Sequence, residues 1–372
     1  MGIQTHRRTK HAFKPEKTEK TSTRGQKQMR NIRVALYGVG TVGALIAKHL
    51  TEKQGIDIVA AIDIDLQKLN KDLAEVLQLK MRTGITITDN AAETLKKTQS
   101  DIAVHATSSY LKQTFPQIAT LVKQNVNVVS TCEELSYSYI SEPKLARELD
   151  ALAKKHDVTI LGTGINPGFL MDTLVITLTA PCTRIDRIEV TRIMNAATRR
   201  AQFQKKIGAG LTVEEFNAEI KNKQITGHVG LEQSIAMIAD ALAWKLDRIK
   251  MEPAQPVIAK KPTASKNIHV PAGKVAGLRQ TATATVRGKE AITLNFEAYI
   301  GAEQEYDAIT IHGNPNVAQK IQPCIHGDTG TVAMIVNAIP RVINAPAGLL
   351  TMKDLPIPHA TPEDARKYLA SQ

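Results

Sequence analysis

Three groups of residues in this 372-residue chain have types and spacings suited to chemistry. The first is Gly38, Gly40 and Gly43, spaced G-x-G-x-x-G between the apolar run Val34-Ala35-Leu36 and a helical pattern from Ala44 to Ala47. In that order Gly38 permits a tight turn, Gly40 lets the backbone approach a pyrophosphate, and Gly43 lets a helix pack on its strand. The helix start at Thr41 and Val42 offers free N–H groups to an anion. About twenty residues on, Val59-Ala60-Ala61-Ile62 ends in Asp63, where a carboxylate accepts from a ribose 2′-OH and opposes a 2′-phosphate. Strand, glycines, helix, strand and acid in one unit predict a site for NAD or NADP; the bland alternative is a tight strand–helix turn.

The second group follows two further strands. Ala106-Thr107-Ser108-Ser109 comes after a strand ending at His105; Thr107 and Ser108 suit a cofactor's ribose or nicotinamide, or else a plain helix cap. Thr131-Cys132-Glu133-Glu134 comes after a strand ending at Ser130. A carboxylate there points into the cleft beyond the sheet, where burial raises its pKa toward acid–base use. Glu133 and Glu134 are equally readable as first-turn helix acids. The third group is Gly162-Thr163-Gly164-Ile165-Asn166-Pro167-Gly168-Phe169. Asn166 reads as an N-cap and Pro167 as the first helical residue, with flexible glycines for close approach to a ligand. Further on, Arg192, Arg199 and Arg200 are candidates to grip a substrate carboxylate bidentately. His228 and His326-Gly327-Asp328-Thr329 are candidate polar groups of a pocket. No His, Cys and acid cluster has metal-ligand spacing, so no metal is expected.

The elements that must position these residues begin as alternating strands and helices. Short apolar runs at 85–88, 101–105, 126–130 and 158–161 read as strands, and 111–123 and 142–156 as helices. That alternation predicts an α/β fold, a doubly wound parallel sheet of Rossmann type, over residues 31–165. From residue 166 the character changes. Residues 185–194 alternate like a strand, 213–221 and 231–246 read as helices, and 281–286, 291–299 and 308–312 read as antiparallel strands. The Pro- and Lys-rich stretch 251–271 reads as a connector or surface loop. Residues 166–325 are thus expected to form a second, α+β domain for substrate and assembly. Residues 326–372 carry a helix over 326–343 and are expected to return to the first domain.

Composition bounds the function class. Hydrophobic residues at 42% and charged residues at 23% describe an ordinary globular chain. Only 4% are aromatic, which argues against a base-stacking nucleic-acid surface. No apolar run is long enough for a membrane span. Residues 1–30 hold nine basic side chains against Glu16 and Glu19, most of the net +12. This polar, aperiodic stretch is expected to be a disordered arm and lacks the apolar core of a secretory signal. Cys132, Cys182 and Cys324 are scattered and odd in number, as expected of reduced thiols in a cytoplasmic protein.

At these residues the chain resembles a known family: 2,4-diaminopentanoate dehydrogenase and the related native amine dehydrogenases, relatives of the dihydrodipicolinate reductase fold. The resemblance runs from about Ile32 to Pro358. It rests on the glycine loop, Val128-Val129-Ser130-Thr131-Cys132-Glu133-Glu134-Leu135 and Gly164-Ile165-Asn166-Pro167-Gly168-Phe169-Leu170-Met171-Asp172. It continues in Lys206-Ile207-Gly208-Ala209-Gly210-Leu211, His326-Gly327-Asp328-Thr329, Asn337-Ala338-Ile339-Pro340-Arg341 and Pro346-Ala347-Gly348-Leu349. The resemblance implies reversible oxidative deamination of an amine to a ketone plus ammonia, with NAD or NADP taking the hydride. It implies that a glutamate of the S-T-C-E-E segment is the acid–base residue, Glu133 first and Glu134 as the alternative. The segment His-His-x-x-Lys-x-Asp-x-Pro-Ser-Gly-Thr of the reductases is missing, which departs from their activity. Asn166, Pro167, Gly168, Arg199 and His326 are the candidate substrate residues. A homodimer is expected, with no membrane or specific nucleic-acid partner. A homoserine-dehydrogenase-like oxidoreductase and a nonenzymatic dinucleotide sensor are the competing readings.

Overall fold

Strands whose residues are apolar on both sides must be covered on both faces, and the first half of this chain alternates such strands with amphipathic helices. The computed structural model describes residues 30–370; residues 1–29 of the expected basic arm lie outside them. The elements run β1 (Ile32–Tyr37), α1 (Thr41–Glu52), β2 (Ile56–Ile62), α2 (Leu73–Leu77), β3 (Ile87–Thr88), α3 (Ala91–Thr98), β4 (Ile102–His105), α4 (Leu111–Lys123), β5 (Asn127–Ser130), α5 (Ser138–Ser141), α6 (Pro143–Lys155) and β6 (Thr159–Gly162). There follow α7 (Thr173–Leu178), β7 (Arg184–Asn195), α8 (Ala201–Lys206), α9 (Val213–Lys221), α10 (Leu231–Ala241), β8 (Arg248–Met251), β9 (Gln255–Ile258), β10 (Thr263–Ala264) and β11 (His269–Val270). The chain closes with β12 (Val275–Val286), β13 (Lys289–Tyr299), β14 (Tyr306–Asn314), β15 (Val317–Ile321), α11 (Gly327–Asn344) and β16 (Gly348–Leu350).

The first sheet is seven-stranded and parallel, in the order β16-β6-β5-β4-β1-β2-β3. Alternate residues of each strand supply two different cores. Val34, Leu36, Val104, Val129 and Leu161 pack with Ile46 and Leu50 of α1 and with Val332, Ile335 and Ile339 of α11. Ala35, Ala103, Val128 and Ile160 pack with Ile118 and Val122 of α4 and Leu149 of α6. This is the expected doubly wound layer. The C-terminal stretch supplies both a covering helix, α11, and an edge strand, β16, of which only the strand has no counterpart in the sequence pattern.

The second sheet has the order β15-β14-β7-β13-β12-β8, with β9 also paired to β12. The expectation of simple antiparallel strands needs correction. β7 lies between β13 and β14, parallel to the former and antiparallel to the latter, so the sheet is mixed. The supposed connector at 251–271 contains β9, β10 and β11. Its Pro256 stands within edge strand β9, the place where a residue without an N–H is tolerated in a sheet. Helix α10 stops at Ala241 rather than at 246, because Ala243 turns left-handed at φ 51°. One face of this sheet buries Ile188, Val190, Leu294 and Ile309 against Phe216 of α9 and Leu231, Ile235 and Ile238 of α10.

Candidate active site

The C-terminal ends of β1, β4, β5 and β6 open on a cavity of about 360 Å³, closed on the other side by β7, α8 and the first turn of α11. Ligands of doubly wound sheets bind beyond this end of the strands. Gly40, Thr41 and Val42 line it from one wall, Thr107 and Ser108 from the next loop, and Glu133 from the loop after β5.

The three glycines divide by physical cause. A Cβ at Gly38, where φ is 95°, would lie 2.4 Å from the Ala106 carbonyl oxygen, and one at Gly43 would lie 2.0 Å from the Gly38 oxygen. Gly40 caps α1 with ordinary φ of −73° and no side-chain hydrogen bond, and a Cβ there would meet nothing within 4 Å. Neither backbone nor packing requires glycine at 40. Open space beside uncapped N–H groups of a helix start is what a dinucleotide pyrophosphate needs. We expect Gly40→Ala to keep its melting temperature while NADH binding weakens about tenfold or more. Gly38→Ala should lower both. Thermal melts and fluorescence titration with NADH check the pair.

Asp63 stands at the end of β2 beside this loop. Its Oδ2 accepts the Val39 N–H at 2.8 Å, its Oδ1 accepts the Asp65 N–H at 2.9 Å, and Lys68 Nζ lies 3.3 Å from Oδ2. Lys68 also pairs with Asp65 at 3.1 Å.

The two adjacent glutamates part company. Glu134 accepts the Leu111 N–H at 2.7 Å, at the start of α4, and does not line the cavity. Glu133 does line it. Burial pushes the Glu133 carboxyl above the usual carboxylate range, against the opposing pull of Lys206, a Ser109 hydrogen bond and Arg200.

No helix starts at Asn166. Residues 165–172 form successive turns, and the next helix, α7, begins at Thr173 with Asp172 as its cap. Gly168 sits at φ 123°, outside helical space. Its N–H and that of Thr173 are taken by the buried Asp172 carboxylate, so the carboxylate and not Asn166 organises the segment. Asn166 Nδ2 instead lies 2.8 Å from His228 Nε2, and Asn166 Oδ1 is buried with no partner. Asn166 and Pro167 line the cavity, whereas Gly168 shapes the turn behind it. His228 stacks on Phe296 with ring centres 4.3 Å apart. Burial, with Lys206, Arg192 and Arg199 nearby, pushes its pKa down to about 3, so the ring is neutral.

The three arginines named as candidates for a carboxylate grip are brought together here. Arg199 and Arg200 both bond Asp328 Oδ1, at 3.0 and 2.7 Å, and Arg192 pairs with Asp307. All three line the cavity, and each has a buried Nε without a partner. His326 is set back as the N-cap of α11, leaving Gly327 and Asp328 to face the cavity. Phe203, Phe296 and Lys206 were missed as cavity residues. Lys206 ends a short helix, α8, that has no periodicity long enough to read.

Among the described residues no group of His, Cys, Asp or Glu could hold a metal ion, and no helix is long and apolar enough to cross a membrane. Residues 32–160 match the dihydrodipicolinate reductase N-terminal family, and residues 169–371 match the 2,4-diaminopentanoate dehydrogenase C-terminal domain. The 2,4-diaminopentanoate dehydrogenase of Acetoanaerobium sticklandii is 34% identical over 92% of this chain and 99% of its own. An amine dehydrogenase of Streptomyces virginiae is 22% identical over 90% of this chain and 99% of its own. The solved amine dehydrogenase of Mycobacterium smegmatis superposes with a TM-score of 0.79 at 29% identity, covering 89% of this chain and 98% of its own. A dihydrodipicolinate reductase from Paenisporosarcina sp. TG-14 shares the fold, with a TM-score of 0.50 at 13% identity over 87% of this chain and 98% of its own. The chain belongs to the 2,4-diaminopentanoate dehydrogenase family and is an NAD(P)-dependent dehydrogenase.

Proposed function

We propose that this dehydrogenase carries out the reversible oxidative deamination of an amine that bears a carboxylate, giving a ketone and ammonia, with 2,4-diaminopentanoate as the candidate substrate. The observation that carries the reading is a recessed carboxylate, Glu133, sharing a cavity with the glycine loop and with three guanidinium groups, two of them paired to Asp328. NAD or NADP would be held at the glycine loop, Gly38, Gly40, Thr41, Val42 and Gly43, and by Thr107 and Ser108, and would supply the hydride acceptor. Glu133 in its ionised form takes a proton from the substrate ammonium and releases it to solvent; ionised again, it takes one from the water that attacks the iminium carbon and passes it to the departing ammonia. Its negative charge also stabilises that cation while it lasts. In reductive amination the same carboxyl returns the protons. Arg199 and Arg200 hold the substrate carboxylate through donors that Asp328 leaves free. Asn166 Oδ1 accepts from the amine and Pro167 lines the wall beside it, with Gly168 and His326 shaping the turn and the helix start behind.

The raised Glu133 pKa makes a sign prediction. The base form is lost as pH falls through that pKa, so kcat/KM for deamination should rise with pH across it. Glu133→Gln should lack this limb, and a pH profile of both proteins checks it. The deciding test of the function is turnover of 2,4-diaminopentanoate against a matched amine without the carboxylate, each with NAD and NADP. Preference for the plain amine removes the arginine role, and tight NADH binding without any turnover favours a sensor.

Asp63, at the end of β2 beside the glycine loop, would accept from a ribose 2′-OH and oppose a 2′-phosphate, so NAD should bind more tightly than NADP, with Lys68 softening the difference. A strong NADP preference in titrations rejects that role. The chain is read as a cytoplasmic homodimer. The three cysteines are free, which supports a reducing compartment. The second sheet keeps Thr191, Thr283, Asn295 and Glu297 partly exposed on its outer face, which supports pairing there. Light scattering of the purified protein tests the dimer.

A further inference from the structure

We infer that His105 is a positioning residue that ties the loop of Thr107 to the loop of Glu133, and so fixes the cofactor-side and acid–base walls of the cavity against each other. The inference rests on the role proposed for Glu133. His105 ends β4 and is fully buried, between the ring of Tyr37, 5.5 Å away, and β5. Its two ring nitrogens face opposite loops. Nδ1 lies 2.9 Å from Ser130 Oγ, and Ser130 Oγ in turn accepts the Cys132 N–H at 3.1 Å, one residue before Glu133. Nε2 lies 2.8 Å from Gln117 Oε1, which also accepts the Thr107 hydroxyl at 2.6 Å.

These contacts fit one proton arrangement, with the Thr107 hydroxyl oxygen also 3.1 Å from Nε2. Gln117 Oε1 only accepts, so Nε2 must carry the proton. Nδ1 then accepts from the Ser130 hydroxyl, whose oxygen is free to take the Cys132 N–H. A second ring proton would leave the Ser130 hydroxyl hydrogen without its acceptor. Burial holds the ring in the neutral form, its pKa pushed down to about 4. Backbone bonds reinforce the joint: Thr131 N–H to the His105 carbonyl at 3.0 Å, and Glu134 N–H to the Ser109 carbonyl at 3.1 Å. None of these groups touches the reacting atoms, so the effect must come through the placement of Thr107 and Glu133.

The experiment compares His105→Phe, His105→Gln and Ser130→Ala with the wild type in kcat and KM for the amine, NADH affinity by fluorescence, and thermal melts. Small displacements of catalytic groups cost up to about a hundredfold. We expect kcat to fall between about tenfold and a hundredfold in His105→Phe with amine KM little changed, and Ser130→Ala to show a smaller loss of the same kind. His105→Gln keeps one acceptor and one donor and should recover most of the rate. A lowered melting temperature with unchanged kcat and NADH affinity in these variants overturns the proposal, as does a phenylalanine variant no slower than the glutamine one. Nitrogen-15 spectra of wild-type His105 should show the neutral Nε2–H tautomer, and an Nδ1–H or doubly protonated ring overturns it even where His105→Phe fails to fold. If the wild type turns over no amine, the functional reading fails by itself, and the tautomer and NADH arms still decide His105.

Discussion

Replacing Glu133 by glutamine should lower deamination by roughly a hundredfold or more, because the shape stays and the proton acceptor goes. NADH affinity should survive, since the glycine loop that holds it lies on another wall of the cavity. Glu134→Gln is the control. Its carboxylate serves the Leu111 N–H at the start of α4, and a glutamine oxygen can take that bond, so its effect should be mild. Steady-state rates with the amine and fluorescence titration with NADH separate the outcomes. Near-normal turnover in Glu133→Gln with none in Glu134→Gln moves the acid–base role one residue along. Activity in both removes the carboxylate mechanism.

The second large effect should come from Arg192. This side chain is 1% exposed in the middle of β7, and it pairs with Asp307, its direct cross-strand neighbour on β14. It also donates to the Ile325 carbonyl at 2.6 Å, while Asp307 accepts the Ile325 N–H at 2.9 Å. The pair therefore pins the segment that enters α11. Arg192→Met leaves the Asp307 carboxylate buried and unpaired, which costs about 3–5 kcal/mol. The loss should appear as a large drop in melting temperature or denaturant midpoint. Adding Asp307→Leu removes the stranded charge, so the double variant should regain much of the stability. A single variant as stable as the wild type refutes this account. Catalysis should stay impaired in the double variant, since the cavity loses a guanidinium.

The legible parts of the fold were those whose cause is local. The glycine loop, the strand ending at Asp63 and helix α9 with its Thr212–Glu215 capping box each depend on residues a few positions apart. So does the start of α11 at His326. What escaped depends on distant partners. Asn166-Pro167 has the look of a helix start, but the groups that decide are the buried Asp172 and the facing His228, which no spacing rule connects. β16 has three residues and becomes a strand only because β6 offers it an edge. β13 and β14 looked like successive antiparallel strands, and the 12-residue β7 inserts between them from far earlier in the chain. In the site, the glutamates were visible as a pair, but which one faces the cavity depends on the Leu111 N–H across the loop.

The way α11 and β16 rejoin the first sheet has a consequence for how the chain is made. Six strands of that sheet are synthesised by residue 162, yet one face still lacks Val332, Ile335 and Ile339, and one edge lacks β16. The ribosome must complete the entire second sheet before it delivers them. A nascent or prematurely ended chain that stops before Gly327 thus holds Ile46, Leu50 and Val104 beneath an incomplete cover, with β6 as a bare edge. Such surfaces recruit other unfinished chains. The last fifty or so residues are therefore the step at which a sticky intermediate becomes a finished protein.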